Sequence, residues 1–214
     1  MKTEQLVQML AVAAPGVDRS AINRQHSRGL MLGVGVALVL MVATLGLRAD
    51  LAQAATLPMF WLKLAFPASL ALAALAAAWR LGHPGMAVNH ATIIGLALPV
   101  LVIWALALTV WQQAPAEQRM PLLWGATWRD CILNIAWLSA PIFVATFWAA
   151  RRLAPTRLRL AGAACGAFAG AASATVYALH CNEMQAPFMA AWYLLGMLLP
   201  AAVGAAVGPR WLRW

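Results

Sequence analysis

The sequence predicts an all-α integral membrane bundle of six transmembrane helices with a short cytoplasmic N-terminal helix. Of its 214 residues, 64% are hydrophobic and only 10% are charged, and the mean hydropathy is +0.76. A soluble globule of this length needs more polar surface than that. Several apolar runs also approach the about 20 residues that cross the hydrocarbon of a bilayer as a helix. Helices satisfy their own backbone hydrogen bonds there, so the lipid bilayer is the first predicted partner.

Residues 1–29 differ in composition from the rest and are predicted to be a cytoplasmic segment. Thr3 can cap a helix whose apolar face carries Leu6, Val7 and Leu10 and which ends before Pro15-Gly16. Such a helix either lies on the membrane surface or binds in the groove of a partner protein. The residues alone leave both interpretations open.

The stretch from Asp18 to Gly29, with three arginines, is predicted to be a basic tether next to the membrane. The first apolar run begins near Leu30. The polar segment before it is longer than that of a cleavable signal peptide, so we interpret the run as a retained span. The transmembrane domain then covers residues 30–214. Its six predicted spans are residues 30–47, 59–79, 91–111, 131–150, 160–179 and 187–207.

Within these spans, individual residues carry further expectations. Lys63, near the start of span 2, is predicted to extend its ammonium to the nearer water interface. The loop from Gln112 to Arg129 contains Trp124 and Trp128, which favours a position along the membrane interface. In span 5, small residues recur every fourth position, which predicts a smooth face for close helix packing; they are Gly162, Gly166, Gly170 and Ala174.

Span 6 opens with Trp192 and Tyr193, which are typical of an interfacial aromatic belt. Six spans with short connections place both termini on one side of the membrane. The N-terminal side then holds eleven of the fifteen Lys and Arg residues, and the opposite side holds Arg48, Lys63, Arg119 and Arg129. By the positive-inside rule, the N- and C-termini are predicted to be cytoplasmic.

That topology places Cys131, at the start of span 4, and Cys181, after span 5, on the same outer side. With His180 they form a candidate site for a soft metal ion, since thiolates select such ions and imidazole suits borderline ones. Asp130 and Glu183 lie on the same side. A structural disulfide between the two cysteines, or no relation between them, are the alternatives. Cys165, inside span 5, is predicted to be a packing residue.

Other functional classes find little support in the sequence. The spans carry no Asp, Glu or His near their middles, which argues against a proton-coupled transporter or an ion pathway. No nucleophile elbow, phosphate loop or paired carboxylates indicate an enzyme or a resident cofactor, so no catalytic or cofactor-binding residue is predicted. The net charge of +9 is dispersed along the chain, which does not favour direct nucleic-acid binding.

Four stretches carry a family resemblance: Leu47-Arg-Ala-Asp-Leu51, Ala154-Pro-Thr-Arg-x-Arg-x-Ala-Gly162, Tyr177-Ala-Leu-His-Cys181 and Ala191-Trp-Tyr193. With the six-span pattern they resemble the NrsF family of bacterial membrane anti-sigma factors, over nearly the whole chain. The resemblance implies an inner-membrane regulator of transcription that holds an extracytoplasmic-function sigma factor inactive. It also implies release of that factor under stress from heavy metals or chromate.

By the same resemblance, the paired outer-face cysteines of the family correspond to Cys131 and Cys181, and sigma binding corresponds to the N-terminal segment. We therefore expect the helix from Thr3 to Ala14 to bind sigma. Transient binding of a metal ion at the cysteines, or their oxidation, would shift spans 4 and 5. A membrane thiol oxidoreductase that cycles electrons through the same two cysteines is the alternative, although the sequence has no CxxC pair.

Overall fold

The computed structural model describes residues 3–5, 7, 9 and 19–213, with the backbone alone for residues 19–26. From Arg19 onward the described residues form eight helices and no strand. These are α1 (Arg19–Thr44), α2 (Leu51–Ala54), α3 (Pro58–Gly82), α4 (His90–Gln113), α5 (Ala116–Trp124), α6 (Trp128–Arg151), α7 (Leu158–Tyr177) and α8 (Ala186–Trp211).

Six helical stretches among the described residues are long and apolar enough to cross a membrane, which confirms the predicted fold class. They are α1, α3, α4, the stretch formed by α5 and α6 together, α7 and α8. The stretch predicted as a basic tether is helical from Arg19 and continues into the span without a break. One local expectation was wrong: the loop predicted before span 4 contains helix α5.

Helix α7 lies at the centre of the bundle and packs against α8, α3 and α6. In the most apolar 18-residue window of α7, 78% of the residues are buried inside the protein. In the corresponding window of α4, only 6% of the residues are buried. The small side chains of α7 explain its central place, because they let several helices approach it at once. Helix α4 is peripheral and turns most of its surface outward.

The closest approach in the bundle is between α7 and α8. A β-carbon added at Gly162 would overlap the main chain of Gly204, and one added at Gly166 would overlap the carbonyl group of Pro200. The two backbones are therefore in direct contact. The predicted close-packing face of span 5 is confirmed, and its partner is span 6.

The helices alternate in direction, so the bundle has two ends. We call the end with Cys131 and Cys181 the cysteine end; it includes α2, α5 and the connection between α7 and α8. The opposite end, here the arginine end, includes the connection between α6 and α7 and the last turn of α8. Near the cysteine end, α8 contains one turn of π-helix at Met189–Tyr193. Single π turns inside α-helices occur frequently at functional sites.

Candidate functional site

The connection between α7 and α8 is held by neighbours from three other parts of the chain. We call residues 179–183 the clasp segment. The carbonyl oxygen of Leu179 accepts a hydrogen bond from the amide of Arg48 at 3.2 Å. Nδ1 of His180 lies 2.9 Å from the carbonyl oxygen of Gly46 and therefore donates to it. The clasp segment is thus fastened to the connection between α1 and α2.

The clasp segment is also fastened to the junction of α5 and α6. Oε1 of Glu183 accepts a hydrogen bond of 2.8 Å from the amide of Ala126. Next to it, Gly125 has a φ of +55°, a left-handed conformation that favours glycine. A β-carbon at Gly125 would also meet the ring of Phe188 and the Glu183 carboxylate. Only glycine fits this turn.

Lys63 is the central donor of the site. Its Nζ donates to the carbonyl oxygens of Cys181 at 2.5 Å and Glu183 at 2.7 Å, and it lies 5.5 Å from the ring centre of Tyr193. The side chain is fully buried. The expectation that Lys63 reaches the water interface was wrong, because main-chain carbonyls inside the protein replace water around its ammonium.

Arg48 provides a second cation next to the clasp segment. Its guanidinium forms a two-point salt bridge with Asp50, both N–O distances being 2.7 Å, and its Nη1 lies 3.4 Å from the carbonyl oxygen of Cys181. The hydrogen bond from Arg48 holds the pKa of the Asp50 carboxyl below its usual value. The same hydrogen bond raises the pKa of Arg48, so both groups stay charged at neutral pH.

Cys131 and Cys181 lie in the same buried cluster of the bundle, near enough to interact electrostatically. Both thiols are free, and their exposed fractions are 0% and 3%. The hydroxyl of Tyr193 has no nitrogen or oxygen partner among the described residues and faces the sulfur of Cys181, a weak acceptor. The third cysteine, Cys165, is also completely buried and packs in a separate cluster near the arginine end.

His180 and Asp130 do not join the two cysteines in a compact metal site. The imidazole of His180 is half-buried and bonded to Gly46, and Asp130 is exposed in the first turn of α6. Over residues 3–5, 7, 9 and 27–213, no three or more His, Cys, Asp or Glu side chains are grouped so that they could hold a metal ion. The donor set that the structure brings together is the pair of thiols, which would suit a soft metal ion whose other ligands are not protein side chains.

The aromatic residues at this end pack on one another. The ring of Trp192 lies 5.0 Å from Trp124 and 4.8 Å from Trp128, and its Nε1 donates to the carbonyl oxygen of Leu123 at 2.7 Å. Tyr193 is fully buried. The prediction of Tyr193 as part of an interfacial belt was therefore wrong, since the π turn directs it into the bundle beside Cys181.

Comparison with known proteins gives a consistent result over the whole chain. A family model described as "Negative regulator of sigma F", named NrsF, matches residues 10–214. The chain belongs to this family. It is 46% identical to a protein named probable anti-sigma-F factor NrsF from Azospira oryzae, with both chains covered completely. It is 38% identical to the anti-sigma-F factor NrsF of Caulobacter vibrioides, again with both chains covered completely. No solved structure matches the chain.

Two residues of the site in this NrsF-family chain, Lys63 and Tyr193, were not predicted from the sequence as parts of it. A signal existed for Lys63, because a lone charge inside a span is by default a candidate functional residue. Tyr193 lies in the Ala191-Trp-Tyr193 stretch that carries the family resemblance, but its inward position had no signal, since tyrosine at the start of a span is common at membrane interfaces.

The predicted partner-binding residues lie mostly outside the described part of the chain. Leu6 and Leu10 are among the residues that the structure does not describe. Val7 is described as helical with 59% of its surface exposed. Its role stays a prediction.

Proposed function

We propose that this chain is a membrane anti-sigma factor that sequesters an extracytoplasmic-function sigma factor through its cytoplasmic N-terminal segment. The observation that carries the proposal is membership of the NrsF family along residues 10–214. Both named relatives match from end to end and carry the name anti-sigma-F factor. The role is regulatory, with sigma as the partner and transcription as the process controlled.

In this proposal, heavy-metal ions or oxidants cause release by acting on Cys131 and Cys181. The pairing of two buried free thiols at one end of the bundle supports it, because thiolates bind soft metal ions and are oxidised to disulfides. The stimulus must favour one of two conformations, since a ligand with equal affinity for both shifts neither. Joining the sulfurs through a metal or a disulfide would draw Cys181 and the clasp segment towards α6.

The signal would then travel from α6 to the N-terminal segment through α1. Helix α1 packs along α6, and a β-carbon at Gly33 of α1 would lie 3.2 Å from the carbonyl oxygen of Pro141 in α6. A shift of α6 would therefore displace α1, whose first described residue, Arg19, follows the stretch from Thr3 to Ala14 that we propose binds sigma. With both termini in the cytoplasm of a bacterial cell, the cysteine end would face the periplasm.

The sensing step is tested with a reporter gene driven by the sigma factor. Reporter expression should rise when Cd²⁺ is added to cells with the wild-type chain and should stay low in Cys131→Ser and Cys181→Ser. Cys165→Ala is the matched control, because it removes a buried thiol from the separate cluster near the arginine end. An undiminished response in both serine variants would remove the cysteine pair from the mechanism.

The partner is tested separately from the stimulus. Deletion of residues 1–25 should release sigma permanently and switch the reporter on without metal. A peptide of residues 1–29 should capture a sigma factor from cell extract. A reporter that stays silent after the deletion, with the truncated protein present in the membrane, would contradict sigma binding by this segment.

A further inference from the structure

We propose that Lys63 is the positioning residue of the thiol pair, fixing the clasp segment so that Cys181 faces Cys131 ready to bind a metal ion. The inference rests on the proposed function in taking the pair as the stimulus site. It adds a residue from a different helix, α3, which does not itself bond the metal.

The burial of Lys63 demands an explanation. A charged side chain inside a membrane span is costly, and such residues generally serve a function or bond within the protein. The described partners of this ammonium include no carboxylate that would neutralise it. Its two hydrogen bonds go to the main chain of Cys181 and Glu183, on either side of Asn182. The desolvated charge is therefore directed at the backbone that carries one of the two thiols.

The carbonyl oxygens of Cys181 and Glu183 have few other donors. The amide of Cys181 donates to the carbonyl oxygen of Tyr177 at 3.0 Å, so α7 holds the amide side of this residue, but its carbonyl oxygen lies beyond the end of the helix. Arg48 reaches the carbonyl oxygen of Cys181 at 3.4 Å, but its shorter hydrogen bonds, both 2.7 Å, go to Asp50. Lys63 thus makes the shortest bond to the backbone at Cys181, and without it the carbonyl oxygen of Cys181 keeps only the 3.4 Å contact with Arg48.

The charge of Lys63 also suits the chemistry of the pair. The thiolate form of cysteine is the metal ligand, so the sulfurs gain negative charge when they bind an ion. The ammonium lies beside the Cys181 thiol and within electrostatic range of Cys131, where it offsets that charge. The hydroxyl of Tyr193, whose ring centre lies 5.5 Å from the same ammonium, is buried without a nitrogen or oxygen partner among the described residues.

The test compares full-length wild-type protein with Lys63→Met in lipid nanodiscs, with Cd²⁺ alone as the probe. Binding is followed by the thiolate-to-metal absorption band, and backbone order by hydrogen exchange. Loss of a residue that orients metal ligands typically weakens metal binding about 10- to 100-fold, which is the effect expected here. Faster exchange should be confined to residues 179–183.

Ser173→Ala is the matched control, because Ser173 also donates a buried side-chain hydrogen bond to main-chain carbonyls, those of Ile135 and Gly170. It should leave Cd²⁺ affinity and clasp exchange at wild-type values. If Lys63→Met does not fold, Lys63→Gln replaces it, since the amide keeps two donors without the charge. An intermediate loss of affinity is then expected.

Wild-type affinity and wild-type exchange in a folded Lys63 variant would overturn the proposal. So would faster exchange throughout α7, or failure of both variants to fold, because Lys63 would then be a general stability residue. If the wild-type protein itself does not bind Cd²⁺, metal sensing fails as the proposed function. The exchange of residues 179–183 still decides whether Lys63 positions Cys181.

Discussion

Two tyrosines beside the cysteine pair differ in how their hydroxyls are satisfied. The hydroxyl of Tyr177 has the side chain of Asn134 as a hydrogen-bond partner, whereas that of Tyr193 has no nitrogen or oxygen partner among the described residues. Burial of a polar group without a hydrogen bond costs free energy that a native protein normally avoids. The hydroxyl of Tyr193 therefore contributes less to stability than that of Tyr177. It is, however, better placed to contact a group bound at Cys181.

The Tyr193→Phe variant should therefore be as stable as the wild-type protein or more stable. Removing a buried hydroxyl that faces only the weak acceptor sulfur of Cys181 relieves a desolvation cost of at most about 1–3 kcal/mol. Tyr177→Phe, the matched control, should lose about 0.5–1.5 kcal/mol because it breaks a formed hydrogen bond. Thermal unfolding in detergent, followed by tryptophan fluorescence, measures both. A clear loss of stability in Tyr193→Phe alone would show that its hydroxyl does have a strong partner.

At this scale the sequence predicted which residues share an end of the bundle, but not which of them touch. Cys131 and Cys181 could be placed together because topology alone decides the end of a span. The bond from Lys63 to the carbonyl oxygen of Cys181 joins residues 118 positions apart. No local pattern encodes such a contact, since it depends on how α3 is rotated against the clasp segment.

At the scale of helices, α7 and α8 depend on glycine for their backbone contact. A β-carbon at Gly166 would overlap the carbonyl group of Pro200, and main chain cannot move aside as a flexible side chain can. Close helix contact of this kind is a main source of stability in membranes, where hydrophobic burial gives little advantage between helices.

Gly166→Ala should accordingly destabilise the bundle. The expected loss in the free energy of unfolding is about 1–3 kcal/mol, as for other overpacking substitutions in protein cores. Gly35→Ala on α1 is the control: no atom outside its own turn lies within 4 Å of an added β-carbon. There, alanine should be neutral or stabilising because of its higher helix propensity. Urea or thermal unfolding in detergent compares the two variants. Equal stability of both would contradict the backbone contact between α7 and α8.

The positions of the spans were predictable because about 20 successive apolar residues have few other uses in a protein. Features that depend on which face an apolar helix turns toward the protein were not predictable. In α8, the π turn at Met189–Tyr193 turns Tyr193 inward, and hydropathy does not distinguish an inward from a lipid-facing side chain. Helix α5 was missed for a related reason: with Pro115 and Pro121 in it or beside it, the stretch resembled a loop.

For the whole molecule, the unequal distribution of Lys and Arg should decide its orientation in the membrane. Eleven of the fifteen Lys and Arg residues belong to the arginine end and to the segments of sequence continuous with it. Positive residues are retained on the cytoplasmic side during insertion, which would place the cysteine end in the periplasm.

Truncated fusions test this orientation. Alkaline phosphatase fused after Gln113, at the cysteine end of α4, should be active because it is exported. The same enzyme fused after Gly82, at the arginine end of α3, should be inactive, and green fluorescent protein should be fluorescent at that position. The reverse pattern would invert the topology and would place the N-terminal segment where it could not meet a sigma factor.

The π turn of α8 also sets where the chain could lose a residue. A π turn holds one residue more than the α-turn that it replaces, and each residue of an α-helix rotates the chain by about 100°. Deleting one residue from Met189–Tyr193 would therefore convert the turn to α-helix and keep Gly204 in register with α7, but it would redirect the side chains within the turn and break the contacts of Tyr193 beside Cys181. A deletion between Leu194 and Gly204 has no extra residue to absorb it, so it would rotate Gly204 away from α7 and break the glycine contact. The two deletions should thus impair different parts of the molecule.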